Sequence, residues 1–296
     1  MGRKAVLLFS GQGAQKVGMG KDVADNHAPA KAMFDAADAK LGYPLSQVMF
    51  EGPMEELTRT SRCQPALYAH GLAMLDALKA RVPNLEIAAT AGLSLGEFTA
   101  HAAAGTFDFA TGLGLVYQRG SFMEEACQAT EGAMLGGEEP AIRELATECG
   151  IDVANLNAPG QIVLSGSKEG IEKAAGLAKE RGIRKAIPLP VAGAYHSRLM
   201  QGAQDKLAAV LSETEIATPA VPVVSNFAAA VVTGADEIRT TLTHQVTGSV
   251  RWVESMQLLI AKGHDFFIEL GPDATLAGLL GKIDKSVTVV SIKDLE

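Results

Sequence analysis

Short apolar runs alternate with longer stretches of helical period along most of the chain, and this pattern predicts a fold class before any residue is singled out. Ala5–Phe9, Ile87–Ala91 and Phe266–Leu270 are brief and mostly apolar, as buried strands are. Between them lie helical patterns at Ala28–Lys40, Gln64–Ala80, Glu97–Ala104 and Ala110–Gln128. In the second, Leu67, His70, Met74, Leu75 and Leu78 recur at helical spacing. In the fourth, Leu113, Val116, Met123 and Cys127 do so, at three to four residues or multiples of that. Strand followed by helix, repeated, argues for βα units on a mostly parallel sheet.

Near Ala129 the pattern changes. Gly132–Gly137, Asp152–Leu156, Gln161–Ser165 and Lys185–Leu189 predict strands, with helices near Glu139–Glu148 and Lys168–Arg181. This β-α-β-β-α-β order matches a ferredoxin-like α+β unit, a common insertion. From His196 the alternation of strand and helix resumes through Leu199–Leu211, Val221–Asn226, Ile238–Leu242 and Trp252–Lys262. The expectation is an α/β fold with a large domain of residues 1–128 and 196–296, interrupted by a small one of residues 129–195.

Composition narrows the function classes. Of 296 residues, 47% are apolar and 20% charged, which excludes a disordered tail, a fibrous repeat and a coiled coil. A chain this long needs no disulfide or metal staple to fold. The 26 basic and 34 acidic residues give a net charge of −8, whose field repels nucleic acid and anionic membrane. Cys63, Cys127 and Cys149 are odd in number and lack a CxxC spacing, so neither a disulfide framework nor a structural zinc site is expected. The run Ala5–Phe9 is too short for a signal peptide, and no stretch approaches the roughly 20 apolar residues of a membrane span. A cytoplasmic protein with reduced thiols is expected, acting as a monomer.

The sharpest local signal is Ala91-Gly92-Leu93-Ser94-Leu95-Gly96-Glu97, a GxSxG motif between an apparent strand and an apparent helix. That context suits a nucleophile elbow on a hydrolase-like core, where a strained turn lifts the serine hydroxyl above the sheet. Gly92 and Gly96 are the residues without a Cβ to clash with the chain passing close by. The helix that follows aims N–H groups and positive dipole at the same point.

A nucleophilic serine needs a base within hydrogen-bond reach. Of six histidines, His27, His70 and His244 read as structural, and His101 lies two helical turns beyond Ser94, leading away from it. Two remain open on the residues alone. His264 precedes Asp265 and a strand, where an ordinary serine esterase places its base. His196, in Pro188-Leu-Pro-Val-Ala-Gly-Ala-Tyr-His196, stands where the chain returns from the inserted unit, at a cleft between the two parts.

Seven blocks then stand in order over nearly the whole length. Phe9-Ser-Gly-Gln-Gly-Ala-Gln15 is similar to FPGQGSQ, Gly92-Leu-Ser-Leu-Gly-Glu97 to GHSLGE, and Gln118-Arg-Gly-Ser-Phe-Met123 to a QRG..M segment. Asn155-Leu-Asn-Ala-Pro-Gly160, Gly193-Ala-Tyr-His196, and Gln245 with Val250-Arg-Trp252 follow, and Gly271-Pro272 closes the series. Together they resemble the malonyl-CoA:acyl carrier protein transacylase family. The resemblance implies Ser94 as nucleophile and His196 as its base, in preference to His264. It also implies an oxyanion hole from the backbone N–H groups of Gln12 and Leu95, and a histidine oriented by a main-chain carbonyl near Gln245. Arg119 is implied to grip the free carboxylate of the malonyl group, with Gln245, Asn157 and Met123 as further substrate-binding residues. Malonyl-CoA and acyl carrier protein are the implied partners, and no cofactor or metal is required. Independently of the resemblance, Val116 and Met123 lie one turn either side of Arg119 and Gly120 follows it, so the arginine sits among apolar and small residues, and a buried cation calls for an anionic partner.

The chain departs from the family pattern at three positions. Leu93 stands where most members have His, which leaves the chemistry intact but touches extender-unit selectivity and also resembles stand-alone acyltransferases of polyketide pathways. Ser10 replaces Pro, and Tyr195 replaces a Phe of similar bulk. The cluster Lys179, Arg181, Arg184 and Lys185 is either a solvated face or a local patch for an acidic carrier protein. Two rival readings are a plain serine esterase with His264 as base and no role for Arg119, and a nucleotide-binding module built on Gly11–Gly18. The second lacks both a full GxGxxG and a P-loop.

Overall fold

The computed structural model describes residues 4–129, 132–137, 141–181, 186–189 and 193–295. Among the described residues ten strands form two sheets: β1 (Ala5–Phe9), β2 (Ile87–Gly92), β3 (Gly132–Gly137), β4 (Asp152–Ala158), β5 (Gln161–Ser167), β6 (Ile187–Leu189), β7 (Val223–Val224), β8 (Val231–Val232), β9 (Phe266–Leu270) and β10 (Thr288–Ile292). The larger sheet runs β10-β9-β1-β2-β7-β8. All its pairings are parallel except the edge pair β7–β8. Its central strand β1 is buried at all five residues, which is why Ala-Val-Leu-Leu-Phe shows no polar alternation.

Helices cover both faces. On one side Phe9, Phe34, Tyr68, Phe98 and Val116 join a core with the long helices Thr60–Arg81 and Phe109–Ala129. On the other, Val6, Leu8, Trp252, Met256 and Leu280 form a second core under the helices Trp252–Ala261 and Thr275–Ile283. Alternate residues of β1 therefore serve different cores, as the two-residue period of a strand dictates.

The small sheet is antiparallel with order β4-β5-β3-β6, and the helices Ala141–Cys149 and Lys168–Glu180 pack on it through Ile142, Leu145, Ile171 and Ala174. Numbered within the unit, the strand order is 2-3-1-4, the ferredoxin-like arrangement. It is joined to the large sheet's side by main-chain bonds from Val250 N–H to Ala154 O (2.8 Å) and from Leu156 N–H to Val250 O (2.9 Å). That coupling holds β4 beside the ends of the large sheet's strands.

Several elements differ from the pattern reading. The helices Leu45–Glu51 and Met54–Thr58 and the edge strand β10 carry little periodic signal, because they are short or half exposed. Only Val223–Val224 of Val221–Asn226 is strand. The strand predicted over Asp152–Leu156 runs on to Ala158, so Asn157 lies inside β4. Of the basic cluster, Arg181 pairs with Glu148, while Arg184, Lys185 and the Lys179 side chain lie outside the described residues. The three cysteines are free thiols. Among the described residues no helix is long and apolar enough to cross a membrane, and no group of His, Cys, Asp and Glu could hold a metal ion.

Candidate active site

Ser94 stands at the carboxyl end of β2, directly before the helix Leu95–Ala103. Its φ of 54° is a left-handed backbone that a residue with a side chain adopts at a cost. The turn is sharp enough that a Cβ on Gly92 would lie 1.9 Å from Gly96 O, and one on Gly96 would lie 2.2 Å from Phe9 O. Gly96→Ala is therefore expected to lower stability by about 3 kcal/mol, since backbone atoms cannot swing aside. Gly114→Ala, whose Cβ would meet nothing nearer than 4.0 Å, is expected to gain about 0.5–1 kcal/mol from helix propensity. Thermal unfolding of the two variants checks both signs.

His196 also has positive φ, at 56°, in the turn between the small sheet's last strand and the helix Gln201–Ser212. Its Nε2 lies 2.8 Å from Ser94 Oγ, and its Nδ1 lies 2.8 Å from the carbonyl oxygen of Gln245. A carbonyl accepts only, so Nδ1 carries the ring proton and Nε2 is left as the acceptor facing the serine. Burial and, next, the nearby Arg119 push His196 down to about 4, so the neutral ring is the form present at neutral pH. The other candidate is far off. His264 lies two residues before β9, which runs parallel to β1 beside β2, so it stands at the opposite end of the strands from Ser94, about 17 Å away along a five-residue strand. Among the remaining histidines, His27 pairs with Asp76, His101 bonds Thr106, His244 stacks on Phe227, and His70 is wholly buried.

Arg119 is 1% exposed and reaches into the same place from the helix Phe109–Ala129. Nη1 donates to Gln64 Oε1 (2.7 Å), and Nη2 donates to Gln245 Oε1 (2.9 Å) and to Ser94 Oγ (3.1 Å). Its Nε–H has no partner, and no carboxylate lies within ion-pair reach of it among the described residues. Desolvation pulls this guanidinium down to about 10, which still leaves it charged at neutral pH. A buried cation with amide and hydroxyl partners but no contacting anion is a receptor for one.

Ser94, His196 and Arg119 open on one cavity of about 270 Å³. The large sheet's loops and helices contribute Gln12, Leu93, Leu95 and Met123 to its wall, and the small sheet contributes Asn155, Asn157, Val163 and Leu189. Among the described residues nothing accepts from the backbone N–H of Leu95 or Gln12. Asn157 lines the cavity with a buried, unpartnered Oδ1. The Gln12 loop is tied down by Thr60, whose hydroxyl receives Gln12 Nε2 (3.3 Å) and meets the Tyr195 hydroxyl at 2.6 Å. That loop packs closely on the elbow, since a Cβ on Gly11 would already lie 2.4 Å from Leu93 O. Gln245 is the exception among the expected substrate contacts. It is fully buried off the cavity wall, behind Arg119 and His196.

Three further residues belong to the site and were not singled out from sequence. Gln64 holds Arg119. Asn226 accepts the Ser94 N–H at Oδ1 (2.6 Å), and Glu97 receives both the Asn226 N–H (3.0 Å) and the Gln245 amide (2.6 Å). Glu97 had a visible signal in the motif itself. The other two are separated by 55 and 132 residues from the groups they bond, and no local pattern marks them.

The arrangement can perform acyl transfer through a serine ester, with an anion-binding point beside the nucleophile. Comparison with known proteins agrees. The acyl transferase domain family matches residues 6–293. The malonyl CoA-acyl carrier protein transacylase of Bacillus subtilis (strain 168) is 43% identical over 99% of this chain and 94% of its own. An acyl carrier protein S-malonyltransferase from Vibrio cholerae superposes with a TM-score of 0.93 at 36% identity, covering 99% of this chain and 97% of that one. A malonyl-transacylase solved in complex with its type II PKS acyl-carrier protein gives 0.93 at 34% identity, covering 99% and 96%.

Proposed function

The chain belongs to the acyl transferase family, among its malonyl-CoA:acyl carrier protein transacylases, and from that premise we propose that Ser94 carries a malonyl group from malonyl-CoA to the phosphopantetheine thiol of an acyl carrier protein. Ser94 Oγ attacks the thioester carbonyl while His196 Nε2 takes its proton. The tetrahedral oxyanion is received by the N–H groups of Leu95 and Gln12, each such donor contributing about 3 kcal/mol to the transition state. The C–S bond breaks, and the coenzyme A sulfur leaves with the proton from His196. An imidazolium with a pKa of about 4 surrenders that proton readily, so the leaving thiol is not held back. The pantetheine thiol then attacks the malonyl-serine ester with its proton passing to His196, and the serine oxygen recovers a proton as it departs. Both ends of the exchange are thioesters, so the enzyme lowers a barrier without driving an equilibrium. Every group named comes from one chain, so a single copy suffices.

The observation that carries the malonyl assignment is Arg119 Nη2 standing 3.1 Å from Ser94 Oγ with no carboxylate paired to it among the described residues. A three-carbon diacid esterified at Ser94 places its free carboxylate within reach of that guanidinium, whereas an acetyl group offers it nothing. Fixing the acid tail also limits the approach of water to the ester. Incubation with malonyl-CoA followed by digestion and mass spectrometry is expected to find one malonyl group, on the peptide containing Ser94, discharged when phosphopantetheinylated carrier protein is added. An adduct on another residue, or release to water faster than to carrier protein, would overturn the reading.

A further inference from the structure

Behind the reacting groups lies a buried hydrogen-bonded frame whose residues do not line the cavity. Asn226 spans the elbow: Oδ1 accepts the Ser94 N–H (2.6 Å) and Nδ2 donates to Gly92 O (2.8 Å). Gln245 Nε2 donates to Ser94 O (2.9 Å), so the strained residue is held at both of its peptide groups. Both arms return to a single atom. Glu97 Oε2 accepts the Asn226 N–H (3.0 Å) and the Gln245 Nε2–H (2.6 Å). Asn226, Glu97 and Gln245 are all fully buried.

In its charged form Glu97 only accepts, so it admits the Gln245 amide with its NH2 group inward; burial pushes Glu97 up to about 7, and the hydrogen bonds from Asn226 and Gln245 pull the other way. The amide oxygen must then face the other way, and it does, receiving Arg119 Nη2 at 2.9 Å. Glu97 is also the largest source of negative charge acting on Arg119, which it reaches through Gln245 without touching it. Glutamine at position 97 has the same shape but breaks this polarity. In one orientation it buries an NH2 where Oε1 now stands, a place that makes no hydrogen bond among the described residues, with the Ser225 hydroxyl beside the carboxyl. In the other it points the NH2 at Gln245, whose amide must turn over and set Nε2 against the guanidinium.

We propose that Glu97 is a positioning residue for acyl selection: by fixing the orientation of the Gln245 amide it holds Arg119 at the nucleophile, so the preference for a carboxylated acyl group depends on an acid no substrate touches. The inference rests on the transfer reading above. The test compares wild type, Glu97→Gln and Glu97→Asp, with kcat/KM for serine acylation by malonyl-CoA and by acetyl-CoA and the unfolding temperature of each. Glu97→Gln is expected to lower the malonyl-to-acetyl ratio about tenfold, a change that lost stability alone would not produce because it would slow both substrates alike. Glu97→Asp, still acceptor-only, is expected to slow both substrates and keep the ratio. A Glu97→Gln ratio within twofold of wild type overturns the proposal, as does an aspartate variant whose ratio collapses. Should the glutamine variant not fold, the aspartate ratio decides alone. A wild-type chain that forms no malonyl-serine overturns the transfer reading and this proposal with it, whereas a wild type that does so beside an unchanged glutamine variant overturns only the proposal.

Discussion

Arg119→Ala is expected to reverse the acyl preference of Ser94, lowering kcat/KM for malonyl-CoA by about 10³-fold while leaving acetyl-CoA unchanged or severalfold better. The size follows from the penalty for burying a charge without its partner, about 3–5 kcal/mol, which the malonyl carboxylate would meet in a cavity emptied of its cation. Acetyl has no such group, and for it the variant removes a charged neighbour from beside a methyl. Arg119→Lys keeps the charge but not the fork that engages Gln64, Gln245 and Ser94 together, and is expected to fall between the two. Competition between the two acyl-CoAs, read as the ratio of adduct masses on the protein, measures the outcome directly. An unchanged malonyl preference in Arg119→Ala would make the arginine a structural residue.

Much of this site was legible because its chemistry sits where local sequence is most constrained. Ser94 needs glycines on both sides for reasons of backbone contact, and the 1.9 and 2.2 Å clashes at Gly92 and Gly96 are the physical content of the GxSxG pattern. Arg119 could be placed inward because Val116 and Met123, one turn either side of it, proved to be buried. The βα alternation gave the parallel sheet for the same kind of reason, since β1 is buried at every position. The choice between His196 and His264 was of a different kind. Residues alone left it open, and it took the resemblance to settle it, because only the parallel order β9-β1-β2 shows that one histidine lies at the wrong end of the sheet. The frame of Asn226, Glu97 and Gln245 was not legible as a frame. It closes over separations of 129 and 148 residues, and each member taken alone is an ordinary polar residue at the end of an element. Edge strand β10 was missed for the opposite reason, being half exposed and without a strong pattern.

His196→Ala is expected to slow serine acylation by about 10³–10⁴-fold, and, unlike loss of Arg119, to do so alike for malonyl-CoA and acetyl-CoA. The base acts on the serine proton, which both substrates require, while the selecting guanidinium stays in place on Gln64 and Gln245. Rates therefore separate the two roles: one variant changes the ratio and the other changes the scale. The pH dependence gives a further check with a definite sign. In the wild type the neutral imidazole, the form able to accept a proton, persists down to about pH 4, so acylation by acetyl-CoA is expected to decline only below that point. Desolvation is the main cause of the low value and Arg119 the second, so removing Arg119 takes away part of the depression, and the acid limb moves to higher pH in Arg119→Ala. A limb that stays put in that variant would mean the arginine's charge is not felt at the histidine. That result would contradict the close grouping of Ser94, His196 and Arg119, because a guanidinium 3.1 Å from the hydroxyl that itself lies 2.8 Å from the imidazole must oppose the ring's protonation.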